Sequence, residues 1–387
     1  MKILLVSWSI LPRSGGSSVI VENLAKHFER EELVVLGGRE LFLSKDVDRN
    51  PQRAQFLYFW SEITILGTGA RFFEWFARWR FNALLSKIEK LITENKIDHV
   101  IGVYPNSLYC LAAARAAKNK NIHFSSYFHN TYVENTAITH PKADAWQKEI
   151  FDNSEKIFVM SKGMQCFYEE KYGIGKFEPL VHTFEDFPSE ESGSEKFGGD
   201  KKVYNLVAIG NFNESNLDAT KRFLEAIKNN PKYKLSVYTH VPKVLLQKRG
   251  IDTSIFKYMG AVKPDEIHEA LQKHDICVLT HGFTGGYGEI EYKTIFPTRT
   301  IPMLLSGKPI FAHSPKDSFL NDFLKEHKCA ELVETKNKED IIESMDRIVQ
   351  DEAYRAMLIR NAKKAAMLFY GPEVSNKLKR TLYEASL

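Results

Sequence analysis

Short apolar runs alternate with helix-like patterns along almost the whole sequence, and the alternation stops once. The first series reads "KILLVSW", "VIVENLAKHFE", "ELVVLGG", "HVIGVYP", "LYCLAAARAAK", "IHFSSYFH" and "KIFVMSK". Apolar runs this short, with helices between them, are buried strands of βαβ units, so the expectation is a parallel sheet with helices on both faces. The stretch "FEDFPSEESGSEKFGGDKK" then breaks the pattern with Ser, Gly, Glu and Lys, the composition of a linker. A second series follows: "YNLVAIGNF", "LDATKRFLEAIKN", "YKLSVYTHV", "FKYMGAV", "PDEIHEALQKH", "ICVLTHG", "CAELVE" and "KEDIIESMDRIVQ". Two doubly wound α/β domains result, and ligands of such folds bind outside the carboxyl ends of the strands. The expected boundaries are 1–186, a linker at 187–202, 203–370, and a last helix at 371–387. Gly371-Pro372 interrupts the helical tail, because proline cannot continue a helix, and the final segment is expected to return to the first domain.

With 387 residues, 43% of them hydrophobic and 26% charged, the chain is long enough for two cores. A net charge of +4 without a local basic tract gives no support to nucleic-acid binding. Cys110, Cys166, Cys277 and Cys329 are scattered and form no CxxC pair, so reduced thiols are expected, with no disulfide framework and no zinc site. "ILLVSWSIL" is followed at once by Pro12-Arg13, with no small-residue cleavage site, and reads as a first strand of a cytoplasmic protein rather than a signal peptide. No apolar run has the length of a membrane span.

The stretch "FPTRTIPMLLSGKPIFAHSP" carries the most chemistry. It reads as an extended Phe296-Pro297, a short helix started by Thr298, a stop at Gly307 and a buried strand. The first turn, Thr298, Arg299 and Thr300, is expected at the end of a sheet, where free backbone N–H groups and the helix dipole favour an anion. Arg299 adds a forked cation, and phosphate is the natural ligand. Gly15-Gly16 and the loop Gly282–Gly288 would bring further N–H groups close to it; the plain alternative for both is an ordinary loop. A separate segment, "ARFFEWFARWRFNALLSKIEKLI", interleaves Phe72, Trp75 and Trp79 with Arg78. Such a basic amphipathic helix suits an anionic membrane surface, and equally a helix covered by protein on two sides or a dimer contact.

In order along the chain, "SWSILPRSGGSSVIVENLAKHF", "SSYFHN", "SEKIFVMSKGMQCFYEEKYGI", "MGAVKPDEIHEALQKHDICVLTH" and "LLSGKPIFA" resemble the GT-B glycosyltransferases of family 4 and their relatives. The resemblance implies two Rossmann-like domains facing across a cleft, with the acceptor on the first, the nucleotide sugar on the second and the last helix crossing back. It implies transfer of a hexose from a UDP-, GDP- or dTDP-sugar, without a metal, to a glycan or lipid-linked acceptor. Retention of configuration and a place in bacterial surface polysaccharide, lipopolysaccharide or glycolipid synthesis are part of the same implication, as is a cytoplasmic or peripheral position at the inner face of the membrane. By the resemblance His129 would touch the donor sugar, and as a base it could serve an inverting relative, so it is a catalytic candidate with Glu291; His281 is a second candidate near the phosphates, and Glu289 and Glu291, outside the family's register, are candidates to hold sugar hydroxyls. The base would lie near Tyr238 to His240 and Met259 to Val262. Departures stand beside these matches. Asn211 and Asn216 occupy the region where the family places an Arg and a Lys, and Pro302 falls where its second Glu would stand. A catalytically silent binding relative and a nucleotide-sugar epimerase are the alternatives those departures keep open.

Overall fold

The computed structural model describes residues 1–11, 16–39, 54–60, 71–105, 107–137, 140–184, 202–263 and 266–385, the side chains of 39, 60, 71–78, 107 and 385 excepted. It separates into two compact units, Met1–Glu185 with Phe369–Leu387, and Asp186–Leu368. The expected linker at 187–202 lies outside the described residues, except for residue 202.

Unit 1 holds a parallel sheet of β1 (Ile3–Ser7), β2 (Leu33–Arg39), β3 (Gln55–Trp60), β4 (His99–Tyr104), β5 (His123–Phe128), β6 (Lys156–Val159) and β7 (Phe177–Pro179). Their order across the sheet is β3-β2-β1-β4-β5-β6-β7. Helices α1 (Gly16–Ala25), α2 (Arg71–Asn95), α3 (Ser107–Lys120), α4 (Ala143–Asn153) and α5 (Lys162–Tyr172) connect the strands. The central strands β1 and β4 are buried along their whole length, as a strand covered on both faces must be. Against them α3 presents Ala112, Ala113, Ala114, Ala116 and Ala117, all fully buried. These small side chains let the helix lie close to the sheet. Gly102 on β4 completes the fit, because a Cβ there would come within 3.1 Å of Cys110 Sγ and 3.2 Å of Ala113 Cβ.

Unit 2 repeats the plan with β8 (Tyr204–Ile209), β9 (Tyr233–Tyr238), β10 (Phe256–Gly260), β11 (Ile276–Thr280), β12 (Ile310–His313) and β13 (Glu331–Val333). The order is β10-β9-β8-β11-β12-β13, again parallel throughout. Its helices are α6 (Leu217–Ile227), α7 (Lys243–Lys248), α8 (Ile267–Gln272), α9 (Glu289–Thr294), α10 (Thr300–Leu305), α11 (Phe319–Glu326), α12 (Lys338–Gln350) and α13 (Glu352–Ala366). Helix α6 shows why the series reads as it does. Ala219, Thr220, Phe223, Leu224 and Ile227 recur at helical spacing and are the buried positions, the stripe an amphipathic helix lays on a sheet.

The tail ends as the proline demands. After α13 a single 3₁₀ turn, Met367–Phe369, leads to α14 (Gly371–Ala385), with Pro372 in its first turn, where its missing N–H costs no helical bond. Val374, Leu378 and Leu382 belong to the core of unit 1. Lys379 adds an ion pair to Glu32 at 2.6 Å.

Candidate functional site

In a sheet of this order, the two strands from which the connections diverge leave a crevice at their carboxyl ends. In unit 2 these are β8 and β11. Strand β8 runs into Gly210, which takes φ +106, a conformation open to glycine. Strand β11 ends at Thr280. Arg299 spans both ends: its Nη2 donates to the Thr280 carbonyl at 2.6 Å, and its Nη1 lies 3.5 Å from where a Gly210 Cβ would stand. The Nε is buried and has no partner. Among the described residues no carboxylate forms an ion pair with this guanidinium, and burial lowers its pKa to about 10. It is therefore a charged group at neutral pH, half-buried, with its Nε shut away from water and no counter-ion among the described residues. Such a charge is costly unless something negative meets it.

The turn around Arg299 differs from the expectation in detail. Helix α10 starts at Thr300, with Arg299 as its N-cap, and is six residues long. The Thr300 N–H donates to the Pro297 carbonyl at 2.9 Å, so this amide does not point to a ligand. The Thr300 hydroxyl is buried and without a partner. The cationic group at this turn is the guanidinium, and the first helical amide is already engaged.

The glycine loop is also differently engaged. Gly282 N–H donates to Ser215 O at 2.8 Å, Phe283 N–H to the Asp218 carboxylate at 3.1 Å, and Gly286 N–H to Glu214 Oε2 at 3.1 Å. Two carboxylates and a carbonyl thus occupy amides expected to face a phosphate. The glycines are needed for this approach, since a Cβ on Gly282 would stand 2.9 Å from Ser215 O. Asn216 is buried, its Oδ1 accepting from Asn213 N–H at 3.2 Å and its Nδ2 donating to Asn211 O at 3.1 Å. It braces the loop that leads into α6, with its side-chain amide engaged inside that loop.

His281, fully buried, donates its Nε2–H to the Tyr292 carbonyl at 2.7 Å, and its Nδ1 has no partner. Burial pushes its pKa down to about 4, so it is neutral. Glu289 is exposed and paired with Lys293 at 2.5 Å, whereas Glu291 is buried on the inward face of α9. Sequence reasoning missed a neighbouring set. Arg222 donates from Nε to His313 Nε2 at 3.1 Å and from Nη2 to Asp218 at 2.9 Å, and lies over the Phe283 ring at 4.5 Å. The His at the end of "PIFAH" was the available signal.

In unit 1, His129 follows β5 and is buried, its pKa pushed down to about 3 by burial first and by His182 second. Neither ring nitrogen has a partner. Gly15 lies outside the described residues; Gly16 is exposed at the start of α1. The side chains of Phe72, Trp75 and Arg78 lie outside the described residues as well. Trp79 is 51% exposed, while Arg80 and Phe81, next along α2, are buried. Among the described residues no group of three His, Cys, Asp or Glu could hold a metal ion, and no helix is long and apolar enough to cross a membrane.

The model of Glycosyltransferase Family 4 matches residues 14–180. The solved structures similar to the chain include sucrose-phosphate synthase from Thermosynechococcus elongatus, at 13% identity and TM-score 0.72 with 100% of both chains covered. The chain resembles the GT-B glycosyltransferases of family 4. A glycosyltransferase from Rickettsia africae matches at 13% identity and TM-score 0.69, covering 100% of this chain and 98% of that one. HepE of Anabaena, solved in complex with UDP, matches at 14% identity and TM-score 0.68, covering 99% of this chain and 100% of that one. No curated protein matches by sequence. At these identities the structures establish the GT-B fold, two Rossmann-like α/β units, over the full length.

Proposed function

We propose that the chain is a glycosyltransferase that takes a nucleoside-diphosphate sugar on unit 2, with the diphosphate at Arg299. The observation that carries the proposal is the half-buried guanidinium without a counter-ion among the described residues, placed where the ends of β8 and β11 diverge. A diphosphate leaving group gains negative charge as the glycosidic bond breaks. A fixed cation that needs no reorganisation stabilises that charge. The base would lie near the ends of β9 and β10, where Thr239 N–H donates to Gly260 O at 2.8 Å and Met259 is partly exposed. UDP is the first nucleotide to test, since HepE was solved with it.

Unit 1 would take the acceptor. The family resemblance extends the proposal to a hexose as the transferred sugar, a glycan or lipid-linked glycan as acceptor, retention of configuration, and a role in surface polysaccharide or glycolipid synthesis in the cytoplasm or at its membrane. The engagement of Asn216 within its own loop favours one rival, a silent relative that binds without transferring.

UDP and UDP-glucose binding by calorimetry, with slow donor hydrolysis as the second readout, tests the proposal. Arg299→Ala removes a charge-assisted hydrogen bond to the diphosphate, contributing about 1.5–3 kcal/mol, so the affinity for UDP should fall by about 10- to 150-fold. Equal UDP affinity in both proteins, with the fold retained, refutes the phosphate site. Binding without hydrolysis or transfer makes the silent relative the better reading.

A further inference from the structure

Unit 2 closes its glycine loop with two of its own carboxylates, and the two are not held alike. The loop leaves β11 just after Thr280, whose carbonyl accepts from Arg299 at 2.6 Å. Its first residues are tied to the entry of α6, Gly282 through Ser215 O and Phe283 through the Asp218 carboxylate. Tyr292 supports the middle of the loop: its hydroxyl donates to Glu214 O at 2.9 Å, and a Cβ on Gly285 would collide with that hydroxyl. At the far end Gly286 N–H donates to Glu214 Oε2 at 3.1 Å. The missing side chain lets the carboxylate lie along the backbone, 3.5 Å from where a Gly286 Cβ would stand.

Counter-charge decides which of these contacts can open. Asp218 is neutralised in place, because Arg222 Nη2 donates to its Oδ2 at 2.9 Å and Arg222 is itself held by His313 and the Phe283 ring. Its bond to Phe283 N–H is a fixed part of the fold. Glu214 has no such support. Its side chain is exposed, no cation pairs with the carboxylate among the described residues, and a backbone amide holds it. A phosphate oxygen competes for the same amide with more charge. Two anions at one amide repel each other, so a phosphate at Gly286 requires the Glu214 side chain to swing away.

We infer that Glu214 is an autoinhibitory occupant of the glycine loop: its carboxylate fills the Gly286 amide in the free protein and leaves when a phosphate-bearing ligand enters beside Arg299. The inference rests on the donor reading for calling that ligand a nucleoside diphosphate. A ligand that needs the open loop is weakened by the fraction of molecules in which the loop is open. Closure in about 70–90% of molecules lowers its affinity about 3- to 10-fold, which is the range that one amide hydrogen bond of ordinary net strength supplies.

The test is calorimetry of UDP and, separately, of sodium pyrophosphate on full-length protein, comparing wild type with Glu214→Ala, Glu214→Gln and Glu225→Ala. Glu225 is a second exposed carboxylate of unit 2, near the other end of α6. Glu214→Ala should bind both ligands about 3- to 10-fold more tightly than wild type, Glu214→Gln should shift in the same direction, and Glu225→Ala should bind as wild type does. Equal or weaker binding by Glu214→Ala overturns the proposal. So does an equal gain in Glu225→Ala, which would report net charge alone. Should the alanine variant misfold, unchanged or weaker binding by Glu214→Gln overturns it instead. The two readings fail separately. UDP bound by wild type, and no more tightly by Glu214→Ala, leaves the donor site standing and removes the autoinhibition. Pyrophosphate bound more tightly by Glu214→Ala, with UDP bound by no variant, keeps the autoinhibition and removes the nucleotide. Silence toward both ligands in every variant removes both.

Discussion

Acid should unfold this protein well before its carboxylates are neutralised. Five buried histidines are held neutral: burial pushes His99 and His129 down to about 3, and His182, His281 and His313 down to about 4. In the unfolded chain each returns to its ordinary value of 6.5. Between those values the unfolded state binds more protons than the folded one, so stability falls as pH falls. The window opens below 6.5 and extends to the folded-state values.

The magnitude depends little on how far each pKa is lowered. At about pH 5, any histidine with a folded pKa of 4 or less is almost fully neutral in the fold and almost fully charged when unfolded. Going from about pH 7 to about pH 5 then costs roughly 1.8 kcal/mol per histidine. Unit 1 contains three of the five, His99, His129 and His182, and should lose roughly 5 kcal/mol, a large share of the total for a typical domain of about 5–15 kcal/mol. Unit 2 contains His281 and His313 and should lose roughly 4 kcal/mol. Urea titrations at the two pH values, followed by circular dichroism, measure this directly. The midpoint should drop steeply, and His99→Gln should recover about one proton's share of the slope. Equal midpoints at both pH values would refute the reasoning, because they would require these rings to be solvated or already paired with acids.

Other expectations concern single side chains. The Glu134 carboxylate, 3% exposed, accepts from Lys171 at 2.7 Å, Tyr172 at 2.9 Å and Tyr168 at 3.2 Å; Glu134→Ala strands these donors and should cost about 3 kcal/mol in urea unfolding. Leu378→Ala on α14 removes a fully buried side chain and should cost about 2–5 kcal/mol; a change below measurement error would mean that α14 is not part of the unit 1 core. Trp79→Ala should reduce sedimentation with anionic vesicles if α2 meets a membrane, and equal sedimentation would remove that role from the half-exposed indole.

Much of the fold is legible in the sequence because buried parallel strands leave a strong mark. "KILLVSW", "IHFSSYFH" and "ICVLTHG" contain β1, β5 and β11, and Gly371-Pro372 stands at the start of α14. Two strands are not legible. The first, β7, has only three residues, too short to show a period. The second, β3, lies at the edge of its sheet, and Phe56, Leu57, Tyr58 and Phe59 are only half buried, so "QFLYFW" carries neither a continuous buried run nor a polar alternation. Missing β7 also hid His182, which would otherwise have drawn the same attention as His129.

The site is legible as residue types and not as partnerships. Arg299 can be picked out because a cation beside a strand end and a helix start is a local pattern. Whether it has a counter-ion is decided by residues far away in sequence, and none of the described ones supplies it. The glycine loop shows the opposite case. Its composition promised open amides, yet Glu214, Ser215 and Asp218, all about 70 residues earlier, supply acceptors to Gly286, Gly282 and Phe283. A glycine-rich loop therefore signals only that something approaches the backbone closely. Here a second stretch of the same chain does so, and the proposed donor site at the ends of β8 and β11 is left to rest on the Arg299 guanidinium.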